Sequence, residues 1–178
     1  RGRCFGGLGD PSGGVPDYDQ FGPTVGEHCK GTNQQDITGV EKLVFLGDSV
    51  TEGTPPNLPS QYYRTLVEQA MRTRFGDIEV SECAGWGART DDLMEPPHQQ
   101  VLTCFPGVED KRTLVVMTVG GNDMAAYAKD RLNPEEAVAS ATGAVDLLEA
   151  GIRHIKDPVN FPNGSFVVFA NVYEYTDG

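Results

Sequence analysis

The sequence Leu43-Val44-Phe45-Leu46-Gly47-Asp48-Ser49 places four apolar residues directly before a Gly-Asp-Ser turn. An apolar run of this length that ends at a glycine is typical of a buried strand followed by a sharp turn. A serine hydroxyl held in such a turn is exposed at the end of the strand and can attack a carbonyl carbon once a base removes its proton. Ser49 is therefore the candidate nucleophile.

The rest of the chain repeats the alternation of short apolar runs and helical patterns. A helix is predicted over Gln61 to Phe75, with Ser60 as its cap, and a longer helix is predicted after Asn133, with Pro134 at its first position. This order predicts an α/β fold in which a parallel sheet carries helices on both faces. The predicted strands are Leu43 to Leu46, Ile78 to Cys83, Thr113 to Val119 and Phe166 to Val172.

Each predicted helix has an apolar stripe that should face the sheet. The stripe of the first helix contains Tyr63, Leu66, Val67, Ala70 and Met71. The stripe of the second contains Val138, Ala141, Val145, Leu148, Ile152 and Ile155.

The residues that follow the strands carry the candidate chemistry, because ligands bind beyond the carboxyl ends of open parallel sheets. The second strand runs into Ala84-Gly85-Trp86-Gly87-Ala88-Arg89-Thr90, and the third runs into Gly120-Gly121-Asn122-Asp123. Attack on an ester creates an oxyanion, which backbone N–H groups and an asparagine amide can stabilise. Gly87 and Asn122 are the candidate donors.

These segments resemble the consensus blocks of the SGNH (GDSL) hydrolase family, over about Glu41 to Asn171. GDSVTEG resembles the first block, GWGART the second and GGND the third. The resemblance implies a flavodoxin-like three-layer sandwich and a serine esterase or lipase. It further implies Ser49 as nucleophile, with the Ser49 N–H, the Gly87 N–H and the Asn122 side chain as the oxyanion hole. Gly85 is an alternative to Gly87, although the family places a small residue and a threonine after the donor glycine, as Ala88 and Thr90 do here.

The Asp-x-x-His block that supplies the base in this family does not occur in the sequence. We therefore expect the catalytic histidine from a C-terminal segment of the same precursor, with the present chain nicked or truncated after Gly178. Among the histidines of the chain, His154 is predicted to be a solvated residue of the long helix and His28 lies in the N-terminal region. His98 follows a Pro-Pro pair in a loop and is the alternative base.

Other side chains near the strand ends have weaker claims to a role. Asp48 and Asp123 flank the candidate catalytic positions, but aspartates in tight turns usually bind neighbouring backbone N–H groups, so we interpret both as structural. Four aromatic residues could line a substrate pocket. They are Trp86, Tyr127, Tyr173 and Tyr175.

Length and charge limit the remaining possibilities. A chain of 178 residues suits one domain, and its net charge of −12 disfavours nucleic acid and anionic membranes as partners. No apolar run reaches the length of a transmembrane segment. We expect no metal, because the spacing of the acidic residues Asp10, Asp17 and Asp19 matches no calcium-binding loop. Acyl transfer through a serine needs no organic cofactor.

Four cysteines, without the spacing of a zinc or redox motif, indicate disulfides. Of the three possible connectivities, Cys4–Cys29 with Cys83–Cys104 is the simplest, and it implies an oxidising, secreted or periplasmic location. Four buried thiols in a cytosolic protein are the alternative. Residues 1–36 are predicted to be an irregular arm stapled by the first disulfide, and residues 37–178 a hydrolase domain that is incomplete at its C-terminal end. Arg1 at the first position suggests that a targeting segment has been removed.

The favoured function is that of a secreted serine esterase that forms an acyl-enzyme on Ser49. Its substrate would be an ester of a lipid or of an acylated carbohydrate. Two alternatives remain open: a non-catalytic binding module with the same fold, and an O-acyltransferase that acts on a glycan.

Overall fold

A computed structural model describes residues 36–170. Within this range the strands form a parallel sheet of order β2-β1-β3-β4, which confirms the predicted parallel α/β architecture. Residues 1–35 of the predicted arm, with Cys4–Cys29 and His28, lie outside the described residues, as do Tyr173 and Tyr175. The strands are β1 Lys42–Gly47, β2 Glu79–Glu82, β3 Thr113–Thr118 and β4 Ser165–Phe169.

The strand register aligns the carboxyl ends of the two central strands. Gly47, the last residue of β1, pairs with Thr118, the last residue of β3. On the other side of β1, Phe45 pairs with Glu82 at the end of β2. The segments that follow these strands therefore emerge at the same edge of the sheet, as the sequence predicts.

The helices occupy the connections between strands, and one predicted boundary is wrong. The helices are α1 Ser49–Glu52, α2 Tyr63–Phe75, α3 Gln100–Cys104, α4 Gly121–Lys129 and α5 Pro134–Lys156. α2 does not begin at a Ser60 cap, because Pro59–Gln61 form a separate 3-10 turn and Tyr62 adopts an extended conformation. α5 begins as predicted, with the Asn133 side chain accepting hydrogen bonds from the backbone of Glu135 and Glu136.

The sheet separates two apolar layers, because successive side chains of β1 point to opposite faces. Leu43 and Phe45 pack in a layer with Val67, Met71 and Phe75 of α2. Val44 and Leu46 pack in the other layer, where the partners are Leu93, Val101 and Ile155. Helices therefore cover both faces, and the predicted three-layer sandwich is confirmed.

The apolar stripes of the two long helices are narrower than predicted. On α2 the side chain of Leu66 is 53% exposed, and the partly buried stripe runs every fourth residue through Tyr63, Val67 and Met71. On α5 only the second half packs on the sheet, so Val138 and Val145 are exposed. The first half of α5 packs against α4 instead of the sheet, and this contact does not require a continuous apolar stripe on α5.

Cys83 and Cys104 form a disulfide, which confirms this part of the predicted connectivity. Their Cα atoms lie 6.0 Å apart. Cys83 directly follows β2 and Cys104 is the last residue of α3, so the bond joins the strand edge to a helix of the neighbouring layer.

None of the helices between residues 36 and 170 is both long and apolar enough to cross a bilayer. In the same range, no three His, Cys, Asp or Glu side chains lie together as the ligands of a metal ion would. The acidic residues Asp10, Asp17 and Asp19 fall outside it.

Candidate active site

Ser49 is the first residue of α1 and lies directly beyond the end of β1, where it is half-buried. Asp48 caps this short helix: its carboxylate accepts hydrogen bonds from the Val50 N–H at 3.0 Å and from the Thr118 hydroxyl at 2.7 Å. These contacts agree with the interpretation of Asp48 as a turn residue. Within residues 36–170 the Ser49 N–H has no hydrogen-bond acceptor.

Gly47 allows β1 to pass into this turn. Its φ is +115°, and a Cβ atom at this position would lie 1.8 Å from the Thr118 carbonyl oxygen, so no other residue fits. The buried Gln100 side chain binds the backbone of Gly47 on both sides of its Cα atom. It accepts from the Gly47 N–H at 2.7 Å and donates to the Gly47 carbonyl at 2.9 Å. Sequence reasoning missed Gln100, which is 53 residues away from Gly47 and belongs to no recognisable motif.

The loop after β2 presents one engaged and one unengaged glycine N–H. The Gly85 N–H donates to the Gly47 carbonyl at 2.9 Å, so it is already used. The Ala88 N–H donates to the Gly85 carbonyl at 3.2 Å and closes a turn in which Gly87 has a φ of +78°. Gly87 is exposed, and its N–H has no acceptor in the described part of the chain.

The first turn of α4, which follows β3, is tied to the loop after β2 by two neighbouring side chains. The Asn122 Nδ2 atom donates to the Ala88 carbonyl at 2.9 Å, which leaves the second hydrogen of this amide for another acceptor. The buried Asp123 carboxylate accepts from the Thr90 hydroxyl at 2.7 Å and from the Thr90 N–H at 3.1 Å. Asp123 therefore has a structural role, as interpreted from the sequence, but its partner is Thr90, 33 positions away, rather than a neighbouring backbone N–H group.

The strand order brings the three candidate residues to one edge of the sheet. β1 lies between β2 and β3, so the turn that carries Ser49 is flanked by the Gly87 loop on one side and by the Asn122 helix on the other. After β1 the chain continues to β2 on one side, and after β2 it crosses to β3 on the other side of β1. Ligands of such sheets bind at this switch point.

Neither described histidine has a hydrogen bond or ion pair with Ser49, Gly87 or Asn122. His154 lies near the end of α5, just before the amino end of β4, and therefore at the opposite edge of the sheet from Ser49. It is half-buried beside Asn160 rather than fully solvated, so that prediction was wrong in degree. The His98 side chain is 64% exposed, with its Nε2 atom 3.8 Å from the Asp92 carboxylate.

Three exposed apolar side chains are close in sequence to the candidate catalytic residues. Trp86, at the tip of the second loop, is 61% exposed, and Val50 and Met124 each are 38% exposed. Each is one or two residues from a candidate catalytic position. Tyr127 differs, because its hydroxyl donates to the Ser140 carbonyl at 3.0 Å and burial raises the pKa of its phenol, so it links α4 to α5.

Comparison with known proteins supports the resemblance noted from the sequence. Residues 43–173, which include Ser49, Gly87 and Asn122, match the family described as GDSL-like lipase/acylhydrolase. Among solved structures, an acetyl xylan esterase from Geobacillus stearothermophilus is similar with a TM-score of 0.42 and 20% identity. The match covers 71% of this chain and 58% of that one, so the chain spans less than two thirds of its length. No curated protein matches the sequence.

Proposed function

This chain belongs to the GDSL-like lipase/acylhydrolase family, and we propose that it is a serine esterase that hydrolyses carboxylic esters through an acyl-enzyme on Ser49. The observation that carries the proposal is the set of unused donors beside the serine. The Ser49 and Gly87 N–H groups have no acceptor within residues 36–170, and one Asn122 N–H also remains. All three follow adjacent strands at one edge of the sheet.

In the proposed reaction the Ser49 Oγ atom attacks the ester carbonyl carbon while a base takes its proton. The carbonyl oxygen becomes an oxyanion, which accepts hydrogen bonds from the Ser49 N–H, the Gly87 N–H and the Asn122 amide. Collapse of this intermediate breaks the bond to the alcohol, which leaves with a proton. Water then attacks the acyl-enzyme in the same way and releases the acid.

The use of Gly87 rather than Gly85 is supported by their hydrogen bonds. The Gly85 N–H is already committed to the Gly47 carbonyl, whereas the Gly87 N–H is free in the described range. The bond from Asn122 to the Ala88 carbonyl also holds the asparagine beside Gly87. A donor that is fixed before the charge develops needs no reorganisation during the reaction.

The base of the proposed reaction is a histidine, and neither described histidine is bonded to Ser49. His154 lies at the opposite edge of the sheet from Ser49, and the His98 ring lies beside the Asp92 carboxylate rather than beside Ser49. His98→Asn should therefore change the esterase rate by less than about 2-fold, because exposed substitutions away from a site have small effects. A loss as large as that of Ser49→Ala would make His98 the base instead.

The proposed substrate is an ester with a lipid or acylated carbohydrate portion, hydrolysed outside the cell. The exposed Trp86, Val50 and Met124 side chains offer apolar contact area next to the reacting groups. The Cys83–Cys104 disulfide supports an oxidising compartment.

A fluorophosphonate probe and a p-nitrophenyl ester test the nucleophile together. We expect one label per chain, located on Ser49 by mass spectrometry, and a Ser49→Ala variant that loses the label and about 10³-fold or more of the ester turnover. Ser60→Ala, an exposed serine in the Pro59–Gln61 turn, is the matched control and should behave like the parent. A label on another residue, or an unchanged rate in folded Ser49→Ala, would contradict the proposal.

A further inference from the structure

The start of α2 holds the short turn that follows Ser49. Three consecutive residues of α2 and its cap each contact a different residue of the turn. The ring of Tyr62 covers Gly53, where a Cβ atom would lie 2.2 Å from the ring; the Tyr63 hydroxyl is 2.6 Å from the Thr51 hydroxyl; and the Arg64 Nε atom donates to the Glu52 carbonyl at 3.0 Å.

The Tyr63 contact continues as a chain of hydrogen bonds. Thr51 is fully buried, and its Oγ1 atom lies 2.8 Å from the Thr118 Oγ1 atom as well as 2.6 Å from the Tyr63 oxygen. The Thr118 hydroxyl then donates to the Asp48 Oδ1 atom at 2.7 Å. The chain ends on the carboxylate that caps the turn of Ser49.

The direction of this chain is determined by its last member. Each hydroxyl has one hydrogen, and the hydrogen of Thr118 is used on the Asp48 carboxylate, which accepts it. Thr118 must therefore accept from Thr51, and Thr51 must accept from Tyr63. The phenol of Tyr63 is the first donor, and no other order satisfies all three bonds.

The Tyr63 phenol is well suited to this position. Its ring packs edge-on against Phe45 of β1, with centroids 6.3 Å apart, so the side chain is fixed by the core. Burial raises the pKa of Tyr63, with Asp48 and Glu82 adding to the increase and Thr51 and Arg64 opposing it. Its hydroxyl therefore keeps its proton throughout the neutral range.

We propose that Tyr63 is a positioning residue for the nucleophile: its hydroxyl begins a one-way chain through Thr51 and Thr118 that orients Asp48 and thereby the turn of Ser49. This inference rests on the proposed function of Ser49. Gln100 holds Gly47 from the opposite face of the sheet, so the nucleophile turn is braced from both apolar layers.

The test is a double-mutant cycle on ester turnover in the full protein. Tyr63→Phe keeps the ring and removes the first donor, and Thr118→Val removes the donor to Asp48. We expect each to lower kcat by about 3- to 10-fold with KM within about 2-fold, as loss of one hydrogen bond would. The double variant should be no slower than the slower single variant, because both changes interrupt the same chain.

Two controls separate positioning from general stability. Thr113→Val removes a buried hydroxyl bond to the Lys111 carbonyl at the other end of β3, and its kcat should equal that of the parent. Thr51→Ser keeps a hydroxyl in the chain and should retain the parent kcat, whereas Thr51→Val should resemble Tyr63→Phe.

Unchanged kcat in Tyr63→Phe, or reductions that multiply in the double variant, would overturn the positioning role. Equal losses in Thr113→Val and Thr118→Val would also overturn it, because stability would then explain both. Turnover that does not depend on Ser49 would instead contradict the proposed function, so the two failures are distinguishable.

Discussion

The two ends of the parallel sheet are held together by different kinds of interaction. At the amino end the buried Lys42 ammonium bridges the Glu109 carboxylate at 2.7 Å and the Glu79 carboxylate at 3.0 Å, and Lys111 also pairs with Glu79. At the carboxyl end Arg64 pairs with Glu82 and donates to the Glu52 carbonyl, but the other connections between the strand-end segments run through neutral amides and hydroxyls. The buried Asp48 and Asp123 carboxylates there accept from neutral donors. Those neutral groups are Gln100, Asn122, Thr90, Thr51, Thr118 and Tyr63.

This difference suggests that the contacts at the amino end of the sheet stabilise the fold, whereas those at the carboxyl end position the candidate catalytic residues. Ion pairs stabilise the amino end, but their strength varies with pH and salt. No candidate catalytic residue lies at that end, so such variation need not disturb the active site. An oxyanion is stabilised best by donors whose positions are set in advance, and neutral hydrogen bonds hold such positions without titrating near neutral pH. We therefore expect changes at the carboxyl end to affect turnover and changes at the amino end to affect stability.

The largest expected effect comes from comparing two asparagines at opposite ends of the sheet, each of which donates a side-chain hydrogen bond to a backbone carbonyl. Asn122→Ala should lower kcat by about 10²- to 10³-fold, because it removes one proposed oxyanion donor. Asn163→Ala removes a side-chain bond to the Asp110 carbonyl beside the amino ends of β3 and β4 and should leave kcat unchanged. Steady-state kinetics with a check of folding by circular dichroism measures both. Similar rates in the two folded variants would remove Asn122 from the oxyanion hole.

The second comparison concerns Gln100. Gln100→Leu leaves the Gly47 N–H without its side-chain acceptor, so we expect a loss of about 1–3 kcal/mol in the free energy of unfolding. Because Gly47 begins the nucleophile turn, kcat should also fall, by roughly 10-fold. Gln61→Leu, which removes an exposed glutamine bond to the Leu58 N–H, is the control and should change neither quantity appreciably. Denaturant unfolding and kinetics would decide, and an unchanged kcat in Gln100→Leu would limit the residue to a stabilising role.

At the amino end Lys42→Met should show the opposite pattern. Glu109 would lose its buried partner, and we expect about 1–3 kcal/mol of destabilisation, less than for a fully buried pair because Glu79 is exposed and keeps Lys111. The kcat should stay within about 2-fold of the parent, because Lys42 begins β1 and Ser49 follows its opposite end. The double change Lys42→Met with Glu109→Gln should recover part of the stability. A large loss of turnover at full folding would contradict the separation of the two ends.

The smallest expected effect is a pH dependence at Glu79. Hydrogen bonds from Lys111 and Lys42 hold the pKa of this carboxyl below its ordinary value of 4.5. Its contribution to stability is therefore complete above pH 4.5 and is lost as the pH falls through the lowered pKa. Melting temperatures measured from neutral pH down to about pH 3 should fall less steeply in Glu79→Gln than in the parent. Identical slopes would show that these ion pairs do not contribute.

Local patterns in the sequence predicted the fold because they depend on neighbouring residues. The apolar runs at β1 and β3, the Asn133 cap and the glycine-rich strand ends all appear in the structure where they were expected. The boundary at Ser60 failed because Pro59 starts a separate turn, and the stripe at Val138 and Val145 failed because that half of α5 packs on a helix. Such outcomes depend on which element lies opposite, and a periodic pattern does not contain that information.

By itself, the sequence determined the parallel sheet, the order of the three strand-end segments and the candidate residues Ser49, Gly87 and Asn122, because each belongs to a short continuous segment. Only the tertiary structure decided how those segments are held. It showed which of Gly85 and Gly87 has an N–H without an acceptor among residues 36–170, that Gln100 binds Gly47 across 53 positions, and that hydroxyl groups 67 residues apart connect to Asp48. These contacts join residues that are distant in the chain, and they exist only because the packed sheet brings its strand ends together.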